Sequence, residues 1–281
     1  MSTRTRRRFD DDENNNNNNN NPNDETGDDE PSWSTYPDAS HGPSPVPAWV
    51  IASPAAIDTD LGVMKSGKEA DVSLLRRDHD AASLLLAVKR YRDPQHRLFH
   101  RDSGYLEGRR ERRSRETRAI ATRTEFGREL ISGQWAAAEF HVLSQLWSAG
   151  ATVPYPVQLM GTELMMEFIG SPVGEAAPRL AQLRPDVAEA RRLFGQLREV
   201  LTHLADAGYT HGDLSPYNIL VHDDRLVLID LPQAVDLVGN PQGFRFLHRD
   251  CENVCSWFAA RGVDADAQSL ESELLMSVPR S

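Results

Sequence analysis

Hydrophobic and polar positions divide the chain into a strand-rich part followed by a helix-rich part. Three short runs, LGVMKS, DVSLLRR and LLLAVKRYR, occupy roughly residues 61–92, rich in valine and leucine and broken by SGKE and RDHDAA. That punctuation is the mark of antiparallel strands. A helix is predicted from Gln134 to Ala149, where Trp135, Ala138, Val142 and Leu146 form one apolar stripe. Two more strands follow, VQLMG and ELMMEF, and then Gly170, Pro172, Gly174 and Pro178 punctuate a hinge. Beyond it Val187, Ala190, Phe194, Leu197, Leu201 and Leu204 recur at helical steps, with Gly208 where a C-terminal cap belongs. YNILV and RLVLID read as a hairpin about the turn HDD, and Gly243–Arg261 is helical again. No internal repeat interrupts this order. It predicts an α+β fold of two lobes, an antiparallel sheet plus one helix followed by a helical lobe, with a cleft between them.

Composition removes part of the chain from that fold. Residues 1–47 hold eight consecutive asparagines, Asn14–Asn21, among acids and Pro/Ser/Gly-rich text. Such a composition buries too little apolar surface to offset the entropy of ordering. The expected organisation is therefore a disordered tail over 1–47, an N-lobe over 48–168 with an Arg-rich insertion at about 93–131, and a C-lobe over 169–281. The tail carries ten acids against four arginines, so six of the eleven net negative charges belong to it. The folded part is only mildly acidic.

Arg4 and Arg6–Arg8 lack the apolar stretch of a secretory or twin-arginine signal, and no run approaches the length of a membrane span. A soluble cytoplasmic protein without a membrane partner is expected. Cys251 and Cys255 share one helix face with His248 a turn earlier, which gives three ligands where structural zinc takes four. Buried reduced thiols are expected instead.

Transfer of a phosphoryl group from ATP needs a phosphate cradle, a cation on the nucleotide, metal ligands and a residue that orients the attacking hydroxyl. SGKEAD, Ser66–Asp71, lies between two strands. Gly62 with Gly67-Lys68 fits most of the G-x-x-x-x-G-K pattern, but Glu69 stands where a hydroxyl must hold magnesium, and strand-like text follows. A hairpin loop that brings backbone N–H groups to phosphates fits better, and an ordinary turn is the equal alternative. Lys89 stands mid-strand, where a lysine ordinarily faces solvent. Glu139, however, shares the apolar stripe of the predicted helix, and a carboxylate aimed at a core is costly unless paired. Lys89 is its natural partner, as in the strand-lysine and helix-glutamate pair of kinases.

In HGDLSPYNIL, Asp213 and Asn218 reproduce the spacing of the kinase catalytic loop, whose Asp orients the substrate hydroxyl and whose Asn binds magnesium. Asp230, which closes LVLID, matches the second metal ligand. Singly each has a plain structural reading as a turn, an Asx cap or a strand terminus. Their joint order and spacing favour the chemistry, and an unpartnered Asp230 at the end of the run Leu226–Ile229 is hard to explain without a cation.

The segments SGKEADV, AVKRY, WAAAEF, LMMEFIG, HGDLSPYNILV, LIDLPQAV and FLHRDCENV, spread over roughly residues 61–263, resemble the RIO atypical serine/threonine protein kinases, specifically the branch without an N-terminal winged helix. Phe246–Val254 most clearly separates this pattern from small-molecule kinases. The resemblance implies a protein-kinase-like fold that uses ATP with Mg2+ or Mn2+. It places Ser66, Gly67 and Lys68 on the phosphates, Lys89 and Glu139 in the ion pair, and Met166, Glu167 and Phe168 at an adenine-facing hinge. Asp213 becomes the catalytic aspartate, and Asn218 and Asp230 the metal ligands. Members autophosphorylate on serine or act as ATPases, some through an aspartyl-phosphate at the position matching Asp230. The implied substrate is the chain itself or another protein. Eukaryotic and archaeal members serve small-ribosomal-subunit maturation, which makes RNA or a ribosomal particle a partner to consider.

Several positions depart from ordinary protein kinases. Ser215 stands two residues after Asp213 where they carry a lysine, and Pro216 replaces the usual acidic residue of the RIO motif. Leu231-Pro232 follows Asp230 where D-F-G would stand, and no A-P-E motif fits before the next helix. The usual peptide-binding platform is therefore not expected. GRRERRSRETR, Gly108–Arg118, holds six arginines in eleven residues. It reads equally as a basic insertion meeting RNA, an acidic partner or the acidic tail, and as a solvated helix face with Glu111 paired to Arg115. Two other functions stay open. One is an aminoglycoside or choline kinase-like small-molecule phosphotransferase, which shares H-G-D-x-x-x-x-N but carries a longer C-terminal substrate subdomain. The other is an ATP-gated binding module with little kinase activity on other proteins.

Overall fold

The structure, a computed structural model, describes residues 31–92 and 125–279, with side chains from Ser132 onward in the second stretch. The asparagine tract and the Arg-rich segment Gly108–Arg118 lie outside the described residues. Seven strands form one antiparallel sheet: β1 (Ser32–Trp33), β2 (Ser40–His41), β3 (Ile57–Ser66), β4 (Ala70–His79), β5 (Ala82–Tyr91), β6 (Pro156–Met160) and β7 (Glu163–Glu167), in the order β1-β3-β4-β5-β7-β6-β2. Helix α1 (Glu125–Ser148) precedes β6. The period-two alternation of β5 sorts its side chains between two faces. Leu86 and Val88 join Leu75, Val157 and Met165 in a core on one face. Ala87, Lys89 and Tyr91 fall on the other, where Tyr91 packs with Ala70 and with Ala136 of α1.

Residues 31–47 correct the expected extent of the tail. β1 pairs with β3 and β2 with β6, so the segment Ser32–His41 reaches both edges of the curled sheet. Between them Tyr36 is buried in the Leu86/Val88 core and stacks on His41 with ring centroids 4.1 Å apart. A polar network lies beneath it. Arg77, 0% exposed, donates from Nε and Nη2 to the two oxygens of Asp58 at 2.7 and 2.8 Å and to Gln158 Oε1 at 3.0 Å. Gln158 in turn donates to Thr35 Oγ1 at 2.8 Å. One tyrosine and one buried ion-pair network thus order a stretch whose composition predicts disorder.

The second part is helical, as expected. Helix α2 (Val187–Asp206) starts at Asp186, whose side chain accepts from Glu189 N at 2.8 Å, and ends before Gly208 at φ 84°. Short β8 (Tyr209–Thr210) then leads into the hairpin of β9 (Ile219–His222) and β10 (Arg225–Leu228). Its two turn residues, Asp223 and Asp224, both have positive φ, the backbone that two-residue hairpins require. Arg192 and Gln196 of α2 hold that turn by the Asp224 carbonyl at 2.6 and 2.9 Å. After β11 (Val235–Asp236) come α3 (Gly243–Ala259) and α4 (Ala267–Ser277), the last unanticipated in the sequence. Leu193, Leu197, Leu204, Leu247, Val254, Phe258, Leu270 and Leu274 from these helices form the main core. Cys251 and Cys255 are free, buried thiols, pushed up by burial to about 12 and about 11. Among the described residues no helix is long and apolar enough to cross a membrane.

Candidate active site

Lys89 of β5 is the hub of the cleft. Its Nζ lies 2.9 Å from Glu139 on α1 and 2.8 Å from Asp230, which follows β10. The Lys89 side chain is 10% exposed and that of Glu139 2%. Burial disfavours the ammonium, but the two carboxylates outweigh it, so the lysine is raised above its ordinary value and stays charged. Glu139 also accepts from Leu231 N at 3.1 Å and from the Tyr91 hydroxyl. Its inward-facing carboxylate is thereby fully answered. Asp230 adopts φ 67°, a left-handed backbone that few non-glycine residues occupy. Burial resists its ionisation, yet the Lys89 charge and hydrogen bond draw the carboxyl down to about 2, with Lys65 and His211 acting in the same direction. Asp230, read from sequence as lacking a partner, has one in Lys89.

The segment from Asp213 to Asn218 is held in shape from several sides. Asn218 Nδ2 donates to Asp213 O at 2.9 Å, which turns its Oδ1 away from that carbonyl, and Asn218 O accepts from Ile229 N at 3.0 Å. Asn218 and Asp230 therefore flank the open end of the β9–β10 hairpin. His211, wholly buried, donates through Nε2 to Ile229 O at 3.1 Å. Asp250 of α3 grips the loop from below. Its carboxylate accepts from Thr210 Oγ1 at 2.9 Å, Gly212 N at 2.7 Å and Leu214 N at 3.0 Å. Asn253 Nδ2 donates to Leu214 O at 3.0 Å, and the Arg249 guanidinium donates to Gly212 O. Arg179 pins the Tyr217 carbonyl from the opposite side. The Asp213 side chain belongs to an exposed residue and faces outward from this rigid frame.

The turn between β3 and β4 carries the predicted phosphate residues. Gly67 N donates to Ala70 O at 2.9 Å, and a Cβ on Gly67 would sit 2.9 Å from that oxygen, so the tight turn needs glycine. Lys68 is exposed at its tip. Ser66 donates its hydroxyl to Asp71 at 2.6 Å, and Arg92 holds both side chains. Glu69 points into the cleft. Its carboxyl is pushed up by burial and by the charges of Asp230 and Asp213, against the opposing pull of Gln233 and Lys89. Of the predicted hinge, Met166 opposes Ala87 and lies on the Lys89 face of the sheet. Glu167 opposes Leu86, and its side chain turns to the other face, where it accepts from Tyr155 N at 3.1 Å. Phe168 is half-buried beside Gly170.

The cleft thus joins Lys89, Glu139 and Asp230 directly, places Asn218 beside Asp230 across the hairpin end, and sets Asp213 on the same loop. The side chain of Glu167 is turned away, and Ser66 and Lys68 lie on the exposed β3–β4 turn. Tyr91, Gln233 and Asp250 were not singled out from sequence, and Glu69 was read only as the residue that breaks the P-loop pattern. A buried acid in the helical motif FLHRDCENV, which like Glu139 needs hydrogen-bond donors, was the one signal that could have identified Asp250.

A divalent cation suits the donor set at the hairpin end. Magnesium takes oxygen ligands, typically one or two from protein with phosphate and water completing the shell. Asp230 is ionised and Asn218 presents a carboxamide oxygen, so these two residues fit it.

The RIO domain family matches residues 81–270. The chain is 38% identical over 215 residues to the RIO-type serine/threonine-protein kinase Rio1 of Haloferax volcanii, covering 76% of this chain and 68% of that protein. It is 33% identical over 213 residues to the serine/threonine-protein kinase RIO1 of Chaetomium thermophilum, covering 72% of this chain and 40% of the relative. Among solved structures, the Rio2 kinase-ADP/Mg2+-phosphoaspartate complex from Chaetomium thermophilum shares the fold with a TM-score of 0.56 at 20% identity, over 79% of this chain and 61% of that one.

Proposed function

The chain belongs to the RIO domain family of serine/threonine-protein kinases, and on that premise we propose that it transfers the γ-phosphoryl group of ATP to a serine or threonine, its own included, with Mg2+ bound. The observation that carries this reading is Lys89 bridging Glu139 and Asp230, at 2.9 and 2.8 Å, from two separate elements of the cleft. A lysine fixed in this way, and kept charged, is what a kinase presents to nucleotide phosphates. Met166, Phe168 and the backbone of Glu167 would face the adenine, and Ser66, Gly67 and Lys68 the phosphates. Asp230 and Asn218 would hold the metal, which supplies charge neutralisation of the triphosphate; Mn2+ suits the same oxygen donors. Asp213, anchored through its backbone to Asn218 and flanked by residues clamped to Asp250, would orient the attacking hydroxyl.

A second reading makes Asp230 itself the acceptor, so that the protein works as an ATPase switch. The ionised state of Asp230 favours it, as does the serine at position 215 in place of the lysine that supports transfer to a peptide. The six arginines of Gly108–Arg118 support an RNA or ribosomal partner on charge alone. Nothing in the motif set favours a small-molecule acceptor.

The test is incubation of purified protein with γ-labelled ATP and Mg2+, comparing wild type with Asp213→Ala and Asp230→Ala. Acid-stable label on serine that is lost in both variants is the expected result, and acid-labile label absent from Asp230→Ala would mark the aspartyl route. Wild-type labelling in Asp213→Ala, or transfer to choline or an aminoglycoside, would overturn the proposal.

A further inference from the structure

Glu69 is the residue of the phosphate turn that the proposed reaction leaves without a role. Its carboxylate is placed among Asp230 and Asp213, two other acids, with Lys89 the nearby cation acting on it. Turning a half-buried carboxylate toward like charges is unfavourable unless something in the cleft answers it. Gln233 does so, its Nε2 standing 3.2 and 3.4 Å from the two oxygens of Glu69.

Gln233 is unusual in what else it touches. It lies three residues after Asp230, in a segment whose Leu231 N is held by Glu139. Its carbonyl presses on Gly212, the residue before Asp213. A Cβ on Gly212 would come within 2.3 Å of Gln233 O, and the glycine adopts φ 80°. One residue therefore links the phosphate turn through its side chain to the Asp230 segment and the catalytic loop through its backbone.

We propose that Glu69 and Gln233 are a positioning pair that holds the phosphate turn down over the catalytic loop and sets how fast nucleotide enters and leaves the cleft. The inference rests on the nucleotide-binding reading of the cleft and goes beyond it. Neither residue needs to touch the reacting atoms. Their bond restrains the one turn whose backbone would cradle the phosphates, and it must yield for that turn to lift. Glu69→Gln keeps an acceptor oxygen for the Gln233 amide, so the conservative variant should retain the restraint that Glu69→Ala loses.

The experiment combines stopped-flow release of a fluorescent ADP with amide hydrogen exchange of residues 66–70 in the nucleotide-free full-length protein. Glu69→Ala and Gln233→Ala should each speed release about fivefold, the scale of one ordinary intramolecular hydrogen bond. The double variant should be no faster than either single one, because both remove the same bond. Glu69→Gln should stay within about twofold of wild type. Exchange at the turn should accelerate in both alanine variants and not in Glu69→Gln. Unchanged release and exchange in Gln233→Ala, or a double variant equal to the product of the singles, would overturn the pair. If wild type binds no nucleotide, the nucleotide reading fails, and the exchange measurement still decides whether the turn is held.

Discussion

Lys89 and Asp230 stand 141 positions apart in the chain and 2.8 Å apart in the fold. The contact ties the middle strand of the sheet to the end of the β9–β10 hairpin, and Asp230 adopts a sparsely populated backbone conformation to make it. Strain of that kind persists where its surroundings over-determine it, and it clusters at functional sites.

Lys89→Met removes the cation from between two acids. Labelling and ATP turnover should fall by about a hundredfold or more, as when a charge-stabilising donor is lost from an active site. Stability should fall too, by about 3 kcal/mol, because Glu139 is left buried with a charge that Tyr91 and Leu231 N answer only in part. Urea unfolding checks the second effect. Adding Glu139→Gln to Lys89→Met should return most of the stability and none of the activity.

Asp250→Asn tests the clamp beneath the catalytic loop. Both Asp250 oxygens accept from backbone N–H groups, and a carboxamide must point its own NH2 at one of them. The expected cost is about 3 kcal/mol from a buried donor left unmet. Turnover should drop about a hundredfold, since a shift of the Asp213 frame misplaces the attacking group. A larger effect on kcat than on nucleotide affinity, measured by titration calorimetry, separates this from general unfolding.

The acid limb of stability should report Asp230. Burial alone would raise its carboxyl, but Lys89 lowers it from 3.8 to about 2 in the folded protein. A depressed acid stabilises the fold wherever the unfolded carboxylate is already ionised, above about pH 4, and that contribution is lost as the pH falls towards about 2. The side chain is 38% exposed, so water screens the pair and the expected loss is on the order of 1 kcal/mol. Denaturant melts from about pH 5 to about pH 2 should show this slope in wild type and lack it in Asp230→Asn.

Arg77→Leu strands Asp58 in the interior and should destabilise the sheet by about 3–5 kcal/mol. The double variant with Asp58→Leu should recover much of that, because the cost lies mainly in the uncompensated charge. Thermal melts of the two variants side by side give the comparison.

Periodicity and spacing made the long strands, α2 and α3 legible, and one argument about a misplaced carboxylate was enough to pair Lys89 with Glu139. Each of these depends on residues near one another in sequence or on a charge that plainly needs an answer. What stayed hidden depends on distant partners. Two-residue strands such as β1 and β2 have no period to read, and their order comes from Tyr36 and the Arg77 network. The glutamine at 233 reads as loop chemistry until the fold brings it against Gly212 and Glu69. Lys89 satisfies Asp230 as well as Glu139, a double duty that spacing does not disclose.

The segment Ser32–His41 also has a consequence for colloidal behaviour. A curled sheet ending in β3 and β6 would offer two long rows of unpaired amide and carbonyl groups to any passing chain, a template for intermolecular strand addition. This one stretch shortens both rows, at Ile57–Asp58 through β1 and at Gln158–Leu159 through β2, and at those points it leaves an outer border only two residues long, too short to recruit a neighbouring strand.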